Sequence, residues 1–136
     1  MAVTTPSLAF PPLSRSGTPA ANAADVTPRC IRFAFPGVPG VQCAFQTRRG
    51  GISDGAWAGG NISYEVGDDP AAVASNRAAL AASLGLSEWV EARQVHGDAM
   101  LMDPEPVQLA AALAATPVAQ ADGLATSRPG VGLVIK

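Results

Sequence analysis

The sequence predicts an α/β domain, in the looser α+β sense of a mixed sheet with flanking helices. Three observations carry this reading. Residues 70–84 have both a helix start and a helix stop. Around them lie several short runs, alternating or apolar, each bounded by Gly/Pro turns, as strands are. The order of strands, then a helix, then strands again is that of a layered domain rather than a bundle or a sandwich.

In chain order, residues 30–35 (CIRFAF) alternate and predict a strand. Pro36-Gly37-Val38-Pro39-Gly40 is a turn, because proline fixes φ and glycine supplies positive φ. Residues 41–47 (VQCAFQT) predict a second strand, so 30–47 is a hairpin. A Gly-rich loop, RRGGISDGAWAGGN, follows, and 62–66 (ISYEV) is a short strand ended by Gly67. In the helix at 70–84, Asp69 is the N-cap and Pro70 takes the first helical position, where a missing N–H costs nothing. Val73, Arg77, Leu80 and Leu84 share one face, and Gly85 stands where a left-handed residue closes the helix. Arg77 on that stripe either snorkels or reaches a buried acceptor. Residues 88–95 and 99–102 predict strands, and 104–115 an Ala/Leu-rich helix opened by Pro104 and Pro106. A short strand in ADGLATS, a turn at RPG and a last apolar strand, VGLVIK, complete the pattern. A run like VGLVI predicts strand partners on both sides.

Length and composition bound the function. The chain has 136 residues, 48% hydrophobic and 15% charged, enough for one domain. The net charge of -2 and pI near 5.2 exclude a basic surface built for nucleic acid. Mean hydropathy is +0.20, yet no apolar run approaches the roughly 20 residues that span a bilayer. Cys30 and Cys43 make no disulfide framework and no zinc knuckle, so a reducing cytoplasm is the simplest location. Residues 1–28, rich in Pro, Ser, Thr and Ala, bury too little apolar surface to order themselves and are expected to be a disordered tail. Proline interrupts any secretory h-region, and the acid-poor composition fits a transit peptide only slightly better. The domain is therefore expected over 29–136.

Two segments carry candidate chemistry. The loop Thr47-Arg48-Arg49-Gly50-Gly51-Ile52-Ser53 offers glycine amides and guanidiniums to an anion, although an ordinary basic turn is the simpler reading. It is not a Walker A loop, because no GK[ST] follows. The single histidine, His96, stands in Arg93-Gln94-Val95-His96-Gly97. A catalytic zinc needs three protein ligands, so spacing alone favours a structural histidine. Asp68-Asp69 reads as a turn followed by a helix cap.

Taken together, these segments resemble the YfiH-like or laccase-domain family, also called multicopper polyphenol oxidase proteins. The resemblance rests on Phe45 to Ser53 (FQTRRGGIS), Asn61 through Gly67-Asp68-Asp69-Pro70, Val73 with Asn76-Arg77, and Gln94-Val95-His96-Gly97. Ala121-Asp122-Gly123-Leu124 and Pro129-Gly130-Val131 fit in order. Each motif is weak alone, and their colinearity over 45–136 is specific. Gly59-Gly60 replaces the family's usual Ser-Leu, a departure expected to loosen that loop.

The resemblance implies a cytoplasmic, mostly bacterial α/β enzyme: a zinc-dependent purine nucleoside phosphorylase that also deaminates adenosine and cleaves methylthioadenosine. Older naming makes such proteins copper polyphenol oxidases, and some bacterial members are linked to editing peptidoglycan precursors. The family's zinc ligands are His, Cys and His, and the first carries over to His96. The others belong to Thr-Ala-Asp-Cys and His-Ala-Gly-Trp-Arg segments expected after Lys136. The chain thus corresponds to the N-terminal half of a family domain, with one of three ligands and impaired activity expected. Arg48, by charge and placement, is expected to hold phosphate or a ribose-side anion while phosphate attacks the sugar; His96 and Arg48 are the expected catalytic residues, and Arg48, Asn61 and Gln94 the expected substrate-binding ones. The implied partners are a purine nucleoside and phosphate, with no nucleic acid and no membrane, and the sequence does not fix an oligomeric state. Two alternatives compete: a non-catalytic fragment or assembly module pairing through the VGLVIK edge, and a copper oxidase. The oxidase ranks last because copper sites need several His and Cys ligands.

Overall fold

A computed structural model of the chain describes residues 26–105, 107–108, 114 and 119–136. Its first strands, β1 (Cys30–Ala34) and β2 (Gln42–Gln46), form the expected hairpin. They pair antiparallel from Cys30↔Gln46 to Ala34↔Gln42. Gly37 and Gly40 take positive φ in the connecting turn, which the Pro/Gly pattern anticipated. Ile31, Phe33 and Phe45 are all exposed, with Phe33 stacked 5.7 Å from Phe45. The hairpin thus presents an apolar face to solvent.

Helix α1 runs Pro70–Leu84, with Asp69 as N-cap accepting from the Ala71 amide, Pro70 at its start and Gly85 left-handed at φ 68. Sequence and structure agree here because every signal is local. The buried face is Ala72, Val73, Asn76, Arg77, Leu80 and Ala81. Leu80, Ala81 and Trp89 form the core, packed by Cys30, Ile62, Leu84, Leu86 and Val134. The hairpin is tied to the end of the helix by Arg32, whose guanidinium donates to Ser83 O at 2.6 Å. Helix C-termini leave carbonyls unsatisfied and favour a cation there.

After α1 come β3 (Glu88–Glu91), β4 (Met100–Met102), β5 (Val107–Gln108), β6 (Gly123–Ala125) and β7 (Val131–Val134). One mixed sheet has the order β5-β3-β7, and β4 pairs β6 separately. The β3–β7 and β4–β6 pairs are parallel, and β3–β5 is antiparallel. These mixed small sheets, together with α1, are an α/β fold in the sense expected.

Four expectations need correction. Residues 62–66 are not a strand: Tyr64–Val66 is a 3-10 turn, capped by the Ser63 side chain and closed by Gly67 at φ 85. The cap satisfies locally the amides that a strand would have needed a neighbour for. The strand expected over 88–95 ends at Glu91. Within 104–115, Val107–Gln108 is extended and pairs with Trp89 and Glu88, so the segment does not open as a helix at its prolines, whereas Ala114 is helical as expected; most of the segment lies outside the described residues. Strand β7 has a partner on one side only among the described residues, and Leu133 and Ile135 are exposed.

The tail expected over 1–28 lies outside the described residues up to residue 25. Its last three residues belong to the folded unit. Pro28 is buried, and the Gly51 amide donates to Val26 O at 2.7 Å.

Candidate functional site

The glycine-rich loop is folded back on itself by backbone contacts. Gly60 N donates to Arg48 O at 3.2 Å, and Gly59 and Ser53 exchange two bonds of 3.1 Å. A Cβ at Gly59, whose φ is +113, would stand 1.7 Å from Arg48 O. Gly59-Gly60 therefore does not loosen the loop: the absence of side chains lets two backbones touch.

Beneath this loop, Asn76 on α1 gathers the chain. Its Oδ1 accepts from Ile52 N at 2.9 Å. Its Nδ2 donates to Ser53 Oγ at 2.9 Å, Asn61 O at 2.9 Å and Gly59 O at 3.3 Å. Asp68 completes the network, accepting from Ser53 Oγ at 2.6 Å and Asn61 Nδ2 at 2.8 Å. The hydrogen bonds from Asn61 and then Ser53 hold its carboxyl below the usual carboxylate range.

This framework bounds a cleft of about 560 Å³, lined among others by Gln46, Arg48, Trp57, Asn61, Ser63 and Lys136. Arg48 is exposed at its rim and has no ion-pair partner among the described residues. Asn61 is committed internally. Its Nδ2 donates to Ser63 O and Asp68, and its Oδ1 accepts from Ser63 N at 3.0 Å. Lys136 is also engaged, 2.7 Å from Glu91 Oε1 and 4.0 Å from Glu65 Oε2. Of the lining groups with charge, Arg48 is the one placed to meet a ligand anion.

Glu91 leads inward to Arg77. The guanidinium of Arg77 is fully buried, 2.9 Å from Glu91 Oε2, with Glu91 itself 5% exposed. Its Nε donates to Ile62 O at 2.7 Å, and it lies 4.7 Å from the Tyr64 ring. The sequence left two readings for Arg77, and the buried-acceptor reading is the one the structure adopts. Outward, Glu65 pairs with Arg93 at 2.9 Å, joining the cleft to the turn that carries His96.

That turn is held by one carboxylate. Asp122 Oδ1 accepts from Val95 N at 2.9 Å and His96 N at 2.8 Å, and Oδ2 accepts from Gly97 N at 2.8 Å. The Gly97 amide is the largest cause holding the Asp122 carboxyl below its usual range. His96 is left-handed at φ 60, uncommon for a residue with a Cβ. Its side chain is exposed, as is Gln94.

The expected site residues therefore fall in two places. Arg48 and Asn61 share the cleft, while His96 and Gln94 lie on the neighbouring turn and do not line it. Ser53, Asn76 and Asp122 were not singled out as functional from sequence. Asn76 was detectable as a polar residue on the buried stripe, one turn from both Val73 and Leu80. Asp122 stood in the Ala121-Asp122-Gly123-Leu124 segment of the resemblance, but nothing local showed its role, since its partners are 25 to 27 positions away.

The described residues do not by themselves assemble a three-donor zinc or copper site. Among the described residues, no group of three or more His, Cys, Asp or Glu side chains is placed to hold a metal ion. Cys30 packs on the core, and burial pushes its thiol up. Among the described residues, no helix is long and apolar enough to cross a membrane.

Residues 42–136 match the family model described as multi-copper polyphenol oxidoreductase laccase. The chain belongs to this family. Among its relatives, the purine nucleoside phosphorylase of Mycobacterium tuberculosis is 41% identical over 91 residues, 65% of this chain and 34% of the relative. That of Deinococcus radiodurans is 40% identical over 109 residues, 74% of this chain and 39% of the relative. The purine nucleoside phosphorylase YlmD of Geobacillus stearothermophilus is 36% identical over 108 residues, 77% of this chain and 39% of the relative. The chain thus spans between a third and two fifths of the length of these relatives. No solved structure matches it significantly.

Proposed function

We propose that this chain carries the phosphate-binding cleft and the histidine turn of a purine nucleoside phosphorylase. The observation that carries the proposal is the exposed Arg48 guanidinium, without an ion-pair partner among the described residues, on a cleft within the family match. In phosphorolysis a phosphate oxygen bonds to C1′ of the ribose. The C1′–N9 bond breaks and its electron pair leaves with the purine. Arg48 contributes by holding the phosphate through charge-assisted, bidentate hydrogen bonds, which position the nucleophile. Asn61 shapes the cleft wall through its bonds to Ser63 and Asp68. In the proposed role His96 and Gln94 approach the substrate from the neighbouring turn, which the Arg93–Glu65 ion pair ties to the cleft side. The proposal extends to adenosine and methylthioadenosine as purine nucleosides of the same cleft. Its zinc component would rest on His96 together with donors other than the described residues.

An NMR titration of the chain with phosphate and inosine tests this. The expected result is saturable shifts at Arg48, the Trp57 indole and the His96 ring. Arg48→Ala should weaken phosphate binding by roughly tenfold or more, as for loss of a charge-assisted pair. Unchanged phosphate affinity in Arg48→Ala, or a His96 ring unmoved by inosine with phosphate, refutes the proposal. Adenosine and methylthioadenosine in place of inosine test the wider substrate range.

A further inference from the structure

We infer that Asp122 is the positioning residue of His96: one carboxylate, gripping three consecutive backbone amides, sets where the imidazole leaves the chain. This rests on the reading of His96 given above. The geometry is specific in three respects. First, the amides of Val95, His96 and Gly97 all point at Asp122, at 2.8 to 2.9 Å. Successive amides that converge in this way make an anion-binding concavity, and here the anion is built into the chain. Second, His96 sits at a left-handed φ of 60 in this turn, a conformation that favours glycine and is unfavourable for residues with a Cβ. Something must hold it, and Asp122 is the group in contact. Third, Asp122 is itself fixed. Its amide donates to Ala99 O at 2.9 Å, and the next residues enter β6, paired in register with β4. On the other flank, Arg93 N donates to Ala119 O at 2.9 Å and Ala121 N to Arg93 O at 3.1 Å.

The turn therefore has no independent freedom, because both of its ends are bonded to the 119–123 segment. Both carboxylate oxygens are spent on backbone. Asp122 thus acts on the site through His96 and not on a substrate.

The test is Asp122→Asn, which keeps the shape but turns an N–H donor toward amides that need an acceptor. Three readings are taken by NMR: the intraresidue HN–Hα cross-peak of His96, strong at φ near +60, the hydrogen exchange of the 95–97 amides, and the His96 ring shift with inosine and phosphate. In Asp122→Asn the cross-peak should weaken, exchange should quicken at least tenfold, and the ring shift should shrink, with the Trp89 environment unchanged. A variant that keeps the cross-peak and the protected amides overturns the inference. So does one that loses them while its ring response stays as in the native chain, because the role is then structural only. If Asp122→Asn does not fold, exchange in the native chain decides: protected amides on this exposed turn support the clamp, and free-amide rates overturn it. A native His96 ring that ignores inosine and phosphate is a different failure, that of the functional reading.

Discussion

Replacing Arg77 by methionine probes the most buried charge among the described residues. The side chain of Arg77 is 0% exposed. It meets Glu91 through two contacts, at 2.9 and 3.2 Å. Methionine fills similar space beside Tyr64 and Trp89 but leaves the Glu91 carboxylate without its main partner and Ile62 O without the Nε donor. Breaking one side of a buried pair costs about 3–5 kcal/mol. Glu91 keeps Lys136 at 2.7 Å and the Trp89 indole N–H at 3.3 Å, which places the expected loss near the lower end, about 3 kcal/mol. Against a domain stability of about 5–15 kcal/mol this is a large fraction. With a urea dependence of roughly 1.5–2 kcal/mol per molar, the midpoint should fall by about 1.5–2 M. Urea unfolding followed by tryptophan fluorescence measures it, since Trp89 is 1% exposed. Adding Glu91→Gln to the variant should recover part of the loss by removing the stranded charge. A single-variant loss below about 1 kcal/mol, or a double variant still less stable, would refute the view that each member of the pair compensates the burial of the other.

Three further outcomes are expected. Asn76→Ala strips acceptor or donor from Ile52, Ser53, Gly59 and Asn61 and should lower stability by about 2–4 kcal/mol, seen as a drop in Tm. Gly59→Ala should both destabilise the fold and disturb Arg48, because its Cβ has no room against Arg48 O and its φ is +113. The phosphate titration described above should show the weakened binding. Acid stability should follow Asp68 and Asp103, whose carboxyls are both held low, Asp103 chiefly by the Ser127 amide. A carboxyl lowered in the folded state stabilises the fold above its ordinary pKa, and that stability is lost as pH falls through the depressed value. The urea midpoint should therefore hold above about pH 5 and decline below about pH 4, with a shallower decline in Asp68→Asn.

What could be read before folding was whatever neighbours in sequence decide between themselves. Asp69, Pro70 and Gly85 bound a helix by capping chemistry, and the helix stands at Pro70–Leu84. The Pro/Gly turn at 36–40 closes a hairpin, and the hairpin forms. The colinear motifs identified the family. Less local features were misread. Tyr64–Val66 looked like a strand because its residues favour one, but a serine cap satisfied its amides first. Residues 107–108 looked helical until pairing with β3 claimed them.

By itself, the order of residues determined the helix, the hairpin, the family and the candidates Arg48 and His96. Tertiary structure alone decided that Asn61 is spent on its own loop, that Arg77 is buried against Glu91, and that Asp122 grips the turn of His96. The physical reason is range: a cap or a tight turn is settled within a few residues, whereas a hydrogen bond between positions 25 apart exists only once strands have fixed both ends.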